Sequence, residues 1–169
     1  MRPICAFVFA LVLTSVQAAL LRYLGGGAVS LALALPIVVY LGLQAGNVDG
    51  AVGAAGVGYV IDLMAGGPKG LMTFLAVALF LVSRVAGAAL SVQGMAGFAV
   101  LSGAGTALYG LAALAFTRAI APVESAPAYS LVWRVLVEAV LTGALSPLVL
   151  IAMRRLEGLY VREEQGLLR

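Results

Sequence analysis

The chain has 169 residues, 63% hydrophobic and only 10% charged, with a formal net charge of +3 and a mean hydropathy of +1.13. A soluble domain carries roughly 25% charged residues, so this chain lacks the polar surface for solubility and reads as one integral membrane domain. Its scattered bases form no patch with interleaved aromatics, which argues against nucleic acid as a partner. Cys5 is the only cysteine and there is no histidine. That excludes an intrachain disulfide, a thiolate metal site, and serine–histidine or cysteine–histidine catalysis, so no cofactor or metal is expected.

Lipid accepts only helices and closed barrels, and the long apolar runs do not alternate. The expected fold is therefore an all-α integral membrane protein, a bundle of about six transmembrane helices. The first span covers residues 4–21, with Arg22 and Tyr23 as interface anchors. It also has the form of a signal peptide: Arg2, an apolar run to Val12, and Val16-Gln17-Ala18 as a cleavage site. More membrane helix follows rather than a secreted domain, which favours retention. Gly25-Gly26-Gly27 turns the chain into a second span, residues 28–45, where Pro36 sits mid-segment and should kink the helix.

After the turn Gly46-Asn47-Val48-Asp49-Gly50, Asp49 is a plausible N-cap for a third helix ending near Ala65. Residues 50–65 reach about 24 Å, short of a hydrocarbon core of roughly 30 Å. Either the helix starts earlier, near Gly46, or the segment is thin. The fourth span, residues 71–90, contains Arg84. The turn Ser91-Val92-Gln93-Gly94 leads to a fifth span, residues 95–117. It carries Ala99, Gly103 and Ala107 on one face and Ser102, Thr106 and Gly110 on another. Such small-residue rows let helix backbones approach closely, and packing within one chain is the simpler reading than a dimer seam. The longest loop, residues 118–130, precedes the sixth span, residues 131–153, which begins near Trp133, an interfacial anchor. Glu138 lies four residues after Arg134, the spacing of an intrahelical ion pair within this span. Residues 1–153 thus form a single transmembrane helical domain, and residues 154–169 a short cytoplasmic tail of bases and acids.

Six spans place both termini on one side. With that side cytoplasmic, Arg2, Arg84, Arg154, Arg155, Arg162 and Arg169 lie at or near it, against Arg22, Lys69, Arg118 and Arg134 towards the other. The Arg154-Arg155 pair directly after the sixth span is the strongest indicator.

The most informative stretch joins the third and fourth helices: Gly58-Tyr59-Val60-Ile61-Asp62-Leu63-Met64-Ala65-Gly66-Gly67-Pro68-Lys69-Gly70. Asp62 is an acid in an apolar run, which is costly at membrane depth and calls for pairing. Gly58 and Gly66 flank it at four-residue spacing, so the three would share a face of an unbroken helix. Gly66-Gly67-Pro68 is a stop signal, with a left-handed Gly cap expected at Gly66. At a helix C-terminus a carboxylate opposes the dipole by about 0.3–1 kcal/mol, so a donor should compensate. Lys69, Arg22, Arg118, Arg134 and the Gly66–Gly67 backbone are candidates. Arg84 is a poor one, since it lies about 21 Å along the next helix. The simplest reading is a carboxylate that caps the following turn and fixes the corner. A partner contact, or substrate or proton handling, are the sharper alternatives.

Gly58-x-x-x-Asp62-Leu63-x-x-Gly66-x-x-x-Gly70 resembles the signature of the rod shape-determining protein MreD family. Thr142-Gly143-Ala144-Leu145-Ser146-Pro147 followed by Met153-Arg154-Arg155 is similar to the small–apolar–Pro pattern and basic exit of that family's last helix. The likeness covers the chain from about Pro36 onward. It departs where Leu35 and Ile37 flank Pro36, positions at which that family often has an arginine and a polar residue. The resemblance implies a non-catalytic scaffold in the bacterial inner membrane. It would belong to the wall-elongation complex (the elongasome) that maintains cell shape and organises peptidoglycan synthesis. Implied partners are an MreC-like bitopic protein, an MreB-like actin homologue, a RodA-like glycosyltransferase and a penicillin-binding transpeptidase. It also implies similarity to the six-helix substrate-binding subunits of energy-coupling-factor transporters.

Two other classes stand beside the scaffold. A vitamin-binding subunit of such a transporter would need a polar-lined pocket on the outer side. A membrane enzyme would have to work with Asp62 and Glu138, the only acids within the spans. For Arg154 and Arg155 the plainer role is topology and attraction to lipid headgroups, and contact with the actin homologue the sharper one.

Overall fold

The computed structural model describes residues 32–65, 69–90, 94–120 and 128–167, together with Val12. The first predicted span (Val12 apart), its signal-peptide alternative, the Gly25-Gly26-Gly27 turn and Gly66-Gly67-Pro68 lie outside the described residues. Among these residues five helices follow one another: α1 (Ala34–Gln44), α2 (Asn47–Ala65), α3 (Leu71–Leu90), α4 (Gly94–Ile120) and α5 (Ala128–Leu167). Among the described residues there is no strand.

The short helix is the centre. Residues Ala34 through Gly42 of α1 are all buried, and α1 packs against each of the other four helices. A helix apolar on every side has no face to give to water and is enclosed. At about 17 Å it is shorter than a hydrocarbon core of roughly 30 Å. Pro36 does not kink it. It stands third in α1, in the first turn, where backbone N–H groups have no intrahelical acceptor and proline removes nothing. The expected second span of residues 28–45 therefore contains a helix that begins at Ala34, beside its proline.

Two antiparallel pairs flank this centre, α2 with α3 and α4 with α5, and α3 touches α4. Helix α2 begins at Asn47, which removes the shortfall in its length. Asp49 lies inside its first turn rather than at the cap, where an acid still complements the dipole. Leu35, Ile37, Val38, Val39, Val57 and Phe80 form the fully buried centre of the core.

The α4–α5 pair is close because both helices present glycine at the crossing. A Cβ on Gly143 would lie 3.2 Å from Gly103 Cα and 3.2 Å from the Ala99 carbonyl oxygen. The small-residue row of α4 is thus used inside the chain. Ser102 and Thr106 of α4 and Thr142 and Ser146 of α5 are buried. Helix α5 runs on through Pro147, which can offer no N–H to the Gly143 carbonyl four residues back. Ser146 Oγ donates to that carbonyl at 2.8 Å instead. A hydroxyl that re-satisfies a freed carbonyl is how proline is tolerated in an apolar helix.

Among the described residues three helices are long and apolar enough to cross a membrane, over Leu71–Ala89, Gly94–Ala119 and Tyr129–Arg155. Their outward residues are apolar too, among them Leu81, Val85, Val100, Leu108, Val140 and Leu148. A bundle with an apolar exterior suits a lipid bilayer. Helix α5 continues to Leu167, so the polar residues after Met153 extend the same helix.

Candidate functional site

The α2–α3 corner is built around Asp62. Its Oδ2 accepts the backbone N–H of Gly70 at 3.1 Å and of Thr73 at 2.9 Å. Its Oδ1 accepts the N–H of Met72 at 3.0 Å. The Thr73 hydroxyl also donates to Oδ2. Helix α3 starts at Leu71, so Met72 and Thr73 are its second and third residues, whose N–H groups an N-cap side chain normally accepts. Gly70 occupies the cap position with no side chain to offer, and its carbonyl accepts the first intrahelical bond from Phe74 at 2.9 Å. Asp62 supplies the missing cap from the preceding helix.

This corrects two expectations. Among the described residues the donors are Gly70, Met72 and Thr73, and none of these four bonds comes from a basic side chain; Arg22 and the Gly66–Gly67 backbone, also candidate donors, lie outside them. The dipole opposed at the end of α2 is outweighed because the carboxylate also sits at the N-terminus of α3, where the dipole favours it. The left-handed glycine among the described residues of this turn is Gly70, with φ of +90°. Gly66 lies outside them.

Gly58 makes the geometry possible. A Cβ there would lie 2.6 Å from Thr73 Cα and 2.8 Å from Ala76 Cβ. The glycine lets the α3 backbone come close, and Asp62, one turn on, meets the N–H groups thus brought near. Leu63 points outward, 68% exposed.

No family model, curated protein or solved structure matches this chain. Its functional reading therefore rests on the residues and their arrangement.

The remaining candidates fall elsewhere. Pro147 is in the interior of α5. Arg134 and Glu138 stand one turn apart on α5, the first exposed and the second part-buried. Arg154 and Arg155 are exposed where the apolar part of α5 ends. Arg154 shares a cavity of about 530 Å³ with Arg84. The cavity lies at the end of α3 opposite Asp62, between the last turns of α1 and α3, the start of α4 and Leu150 of α5. Arg84 is not stranded in a span. Its Nη1 donates to the Ala45 carbonyl at 2.9 Å, capping the C-terminus of α1 from 39 residues away. No local spacing could signal that contact, nor the role of Thr73. The pairing of Ser146 with Pro147 was legible in principle, because a hydroxyl beside a mid-helix proline is the residue that can serve the orphaned carbonyl.

Among the described residues no three His, Cys, Asp or Glu side chains gather as a metal site. Asp62 is committed as an acceptor to four donors, an arrangement that holds two helices together.

Proposed function

We propose that this chain is a non-catalytic scaffold subunit of the bacterial wall-elongation complex, of the kind the MreD family provides. The observation that carries the reading is the Asp62 corner. The Gly58–Asp62–Gly70 part of the motif acts as one structural device: close approach, cap and left-handed turn. An acid used in this way supports a role in shape and assembly rather than in chemistry. In this reading six segments cross the bacterial inner membrane, residues 4–21 and 28–45 and α2 among them. Both termini are cytoplasmic, which puts Arg84 and Arg154 at the inner face and Asp62 near the outer one. The proposed partners are an MreC-like bitopic protein, an MreB-like actin homologue, a RodA-like glycosyltransferase and a penicillin-binding transpeptidase.

The alternative, a vitamin-binding transporter subunit, calls for a polar pocket on the outer side, and in this orientation the arginine-lined cavity faces inward. Depletion of the chain in its own host should turn rods into spheres. Affinity purification from the membranes of that host should recover wall-elongation proteins. Normal cell shape, with a coupling ATPase recovered instead, would replace this reading by the transporter. A cytoplasm-active reporter should work after Arg169 and be silent in the 122–127 loop; the reverse would invert the orientation.

A further inference from the structure

We propose that the cavity between Arg84 and Arg154 is a binding site for the phosphate of a glycerophospholipid headgroup. This inference is independent of which complex the protein joins. Among the described residues the cavity is lined by two arginines and by no carboxylate. Its volume of about 530 Å³ is that of a small-molecule site and exceeds what one phosphate fills.

The local electrostatics favour an anion, because two full positive charges outweigh the partial negative charge at the C-termini of α1 and α3 that also face the cavity. The carbonyl of Ala45 at the C-terminus of α1 is met by Arg84 Nη1. That single bond fixes the guanidinium, which has five N–H donors in a planar fork suited to phosphate. Gly94, the first residue of α4, lines the same cavity, and a helix N-terminus adds positive partial charge. Arg154 lines the site from α5.

The placement selects a lipid over a solute. The cavity lies at the ends of α3, α4 and the apolar part of α5, the three helices of membrane-crossing length. That is headgroup depth for a bilayer. Beside the lining residues stand outward-facing apolar side chains: Val85, Met95, Leu148 and Ile151. Acyl chains can run along these while the phosphate turns into the cavity.

The test uses the full-length protein, delipidated in detergent, with native mass spectrometry as the readout. The probes are phosphatidylglycerol, diacylglycerol with the same acyl chains, and inorganic phosphate as competitor. Phosphatidylglycerol adducts should form and diacylglycerol adducts should not. Arg154→Gln and Arg84→Gln should each lower phosphatidylglycerol occupancy about tenfold, the scale of a lost charge-assisted pair. Ala88→Trp should block the cavity sterically with both charges kept. Lys69→Gln, at the other end of the bundle, should leave occupancy unchanged. Because Arg84 also caps α1, its variant can misfold; Arg154→Gln and Ala88→Trp decide the matter without it. Wild-type occupancy in both of these, or equal binding of diacylglycerol, overturns the site. Displacement by inorganic phosphate would keep a phosphate site but overturn the lipid assignment.

Discussion

Thr73 gives Asp62 two hydrogen bonds, its backbone N–H to Oδ2 at 2.9 Å and its hydroxyl to the same oxygen. The same residue's Cα is the atom that a side chain at Gly58 would strike, at 2.6 Å. Packing and capping of the α2–α3 corner therefore converge on one residue of α3.

The first prediction concerns this cap. Asp62→Leu removes every acceptor and should lower stability by about 1–2 kcal/mol, with water taking over at the exposed Gly70 donor. Asp62→Asn keeps one acceptor oxygen and should retain most membrane accumulation. Thr73→Val should cost about 0.5–1.5 kcal/mol, and less when Asp62 is already Leu. Melting temperatures in detergent measure all of these. Suppose Asp62→Asn folds as well as wild type yet loses the proposed cell-shape function as fully as Asp62→Leu. The negative charge itself would then be needed, and the structural reading would fail.

Glycine-to-alanine changes should separate two kinds of helix contact. At Gly58 the new methyl meets α3 backbone at 2.6 Å, whereas at Gly103 its nearest contact is the Ala139 carbonyl oxygen at 3.3 Å. Gly58→Ala should thus destabilise by about 1–3 kcal/mol through overpacking. Gly103→Ala needs only a small adjustment and also gains helix propensity. The order of the two melting temperatures is the measurement. A Gly58→Ala protein as stable as Gly103→Ala would show that the α2–α3 approach is looser than described.

Ser146 and Pro147 should behave as a unit. Ser146→Ala leaves the buried Gly143 carbonyl without its donor, at about 1–2 kcal/mol. Pro147→Ala restores a backbone N–H to that carbonyl. A double-mutant cycle should show that Ser146→Ala costs clearly less in the Pro147→Ala background. Strict additivity would mean that Ser146 contributes packing only.

Gly70 tests backbone strain in isolation. Its φ is +90°, yet a Cβ there would meet nothing within 4 Å. Gly70→Ala should therefore cost about 1–2 kcal/mol from the left-handed conformation alone, and Gly70→Asn less. If Ala and Asn lower the melting temperature equally, the turn relaxes out of the left-handed region and the argument is lost.

Part of this molecule was legible in the residue order. Apolar runs without alternation require helices, and the small-residue row Ala99–Gly103 marks the face of α4 that meets α5. The Gly-Gly-Pro punctuation after Asp62 marks a corner, and an acid just before it suggests a cap. The helix starts were harder to read. Pro36 looked like a mid-helix kink because the boundary at Ala34 depends on how α1 is enclosed by four neighbours. Likewise Asp49 has the residue type of a cap, and the start of α2 at Asn47 places it inside the first turn instead. Helical class, apolar exterior and the turns follow from residue order alone, because they depend on periodicity and on conformational preferences within a few residues. Which donors Asp62 receives, that Arg84 caps α1, and that Arg84 and Arg154 line one cavity emerge only from the packed fold. Those contacts join residues on different helices, and they depend on the distances and angles at which whole helices pack.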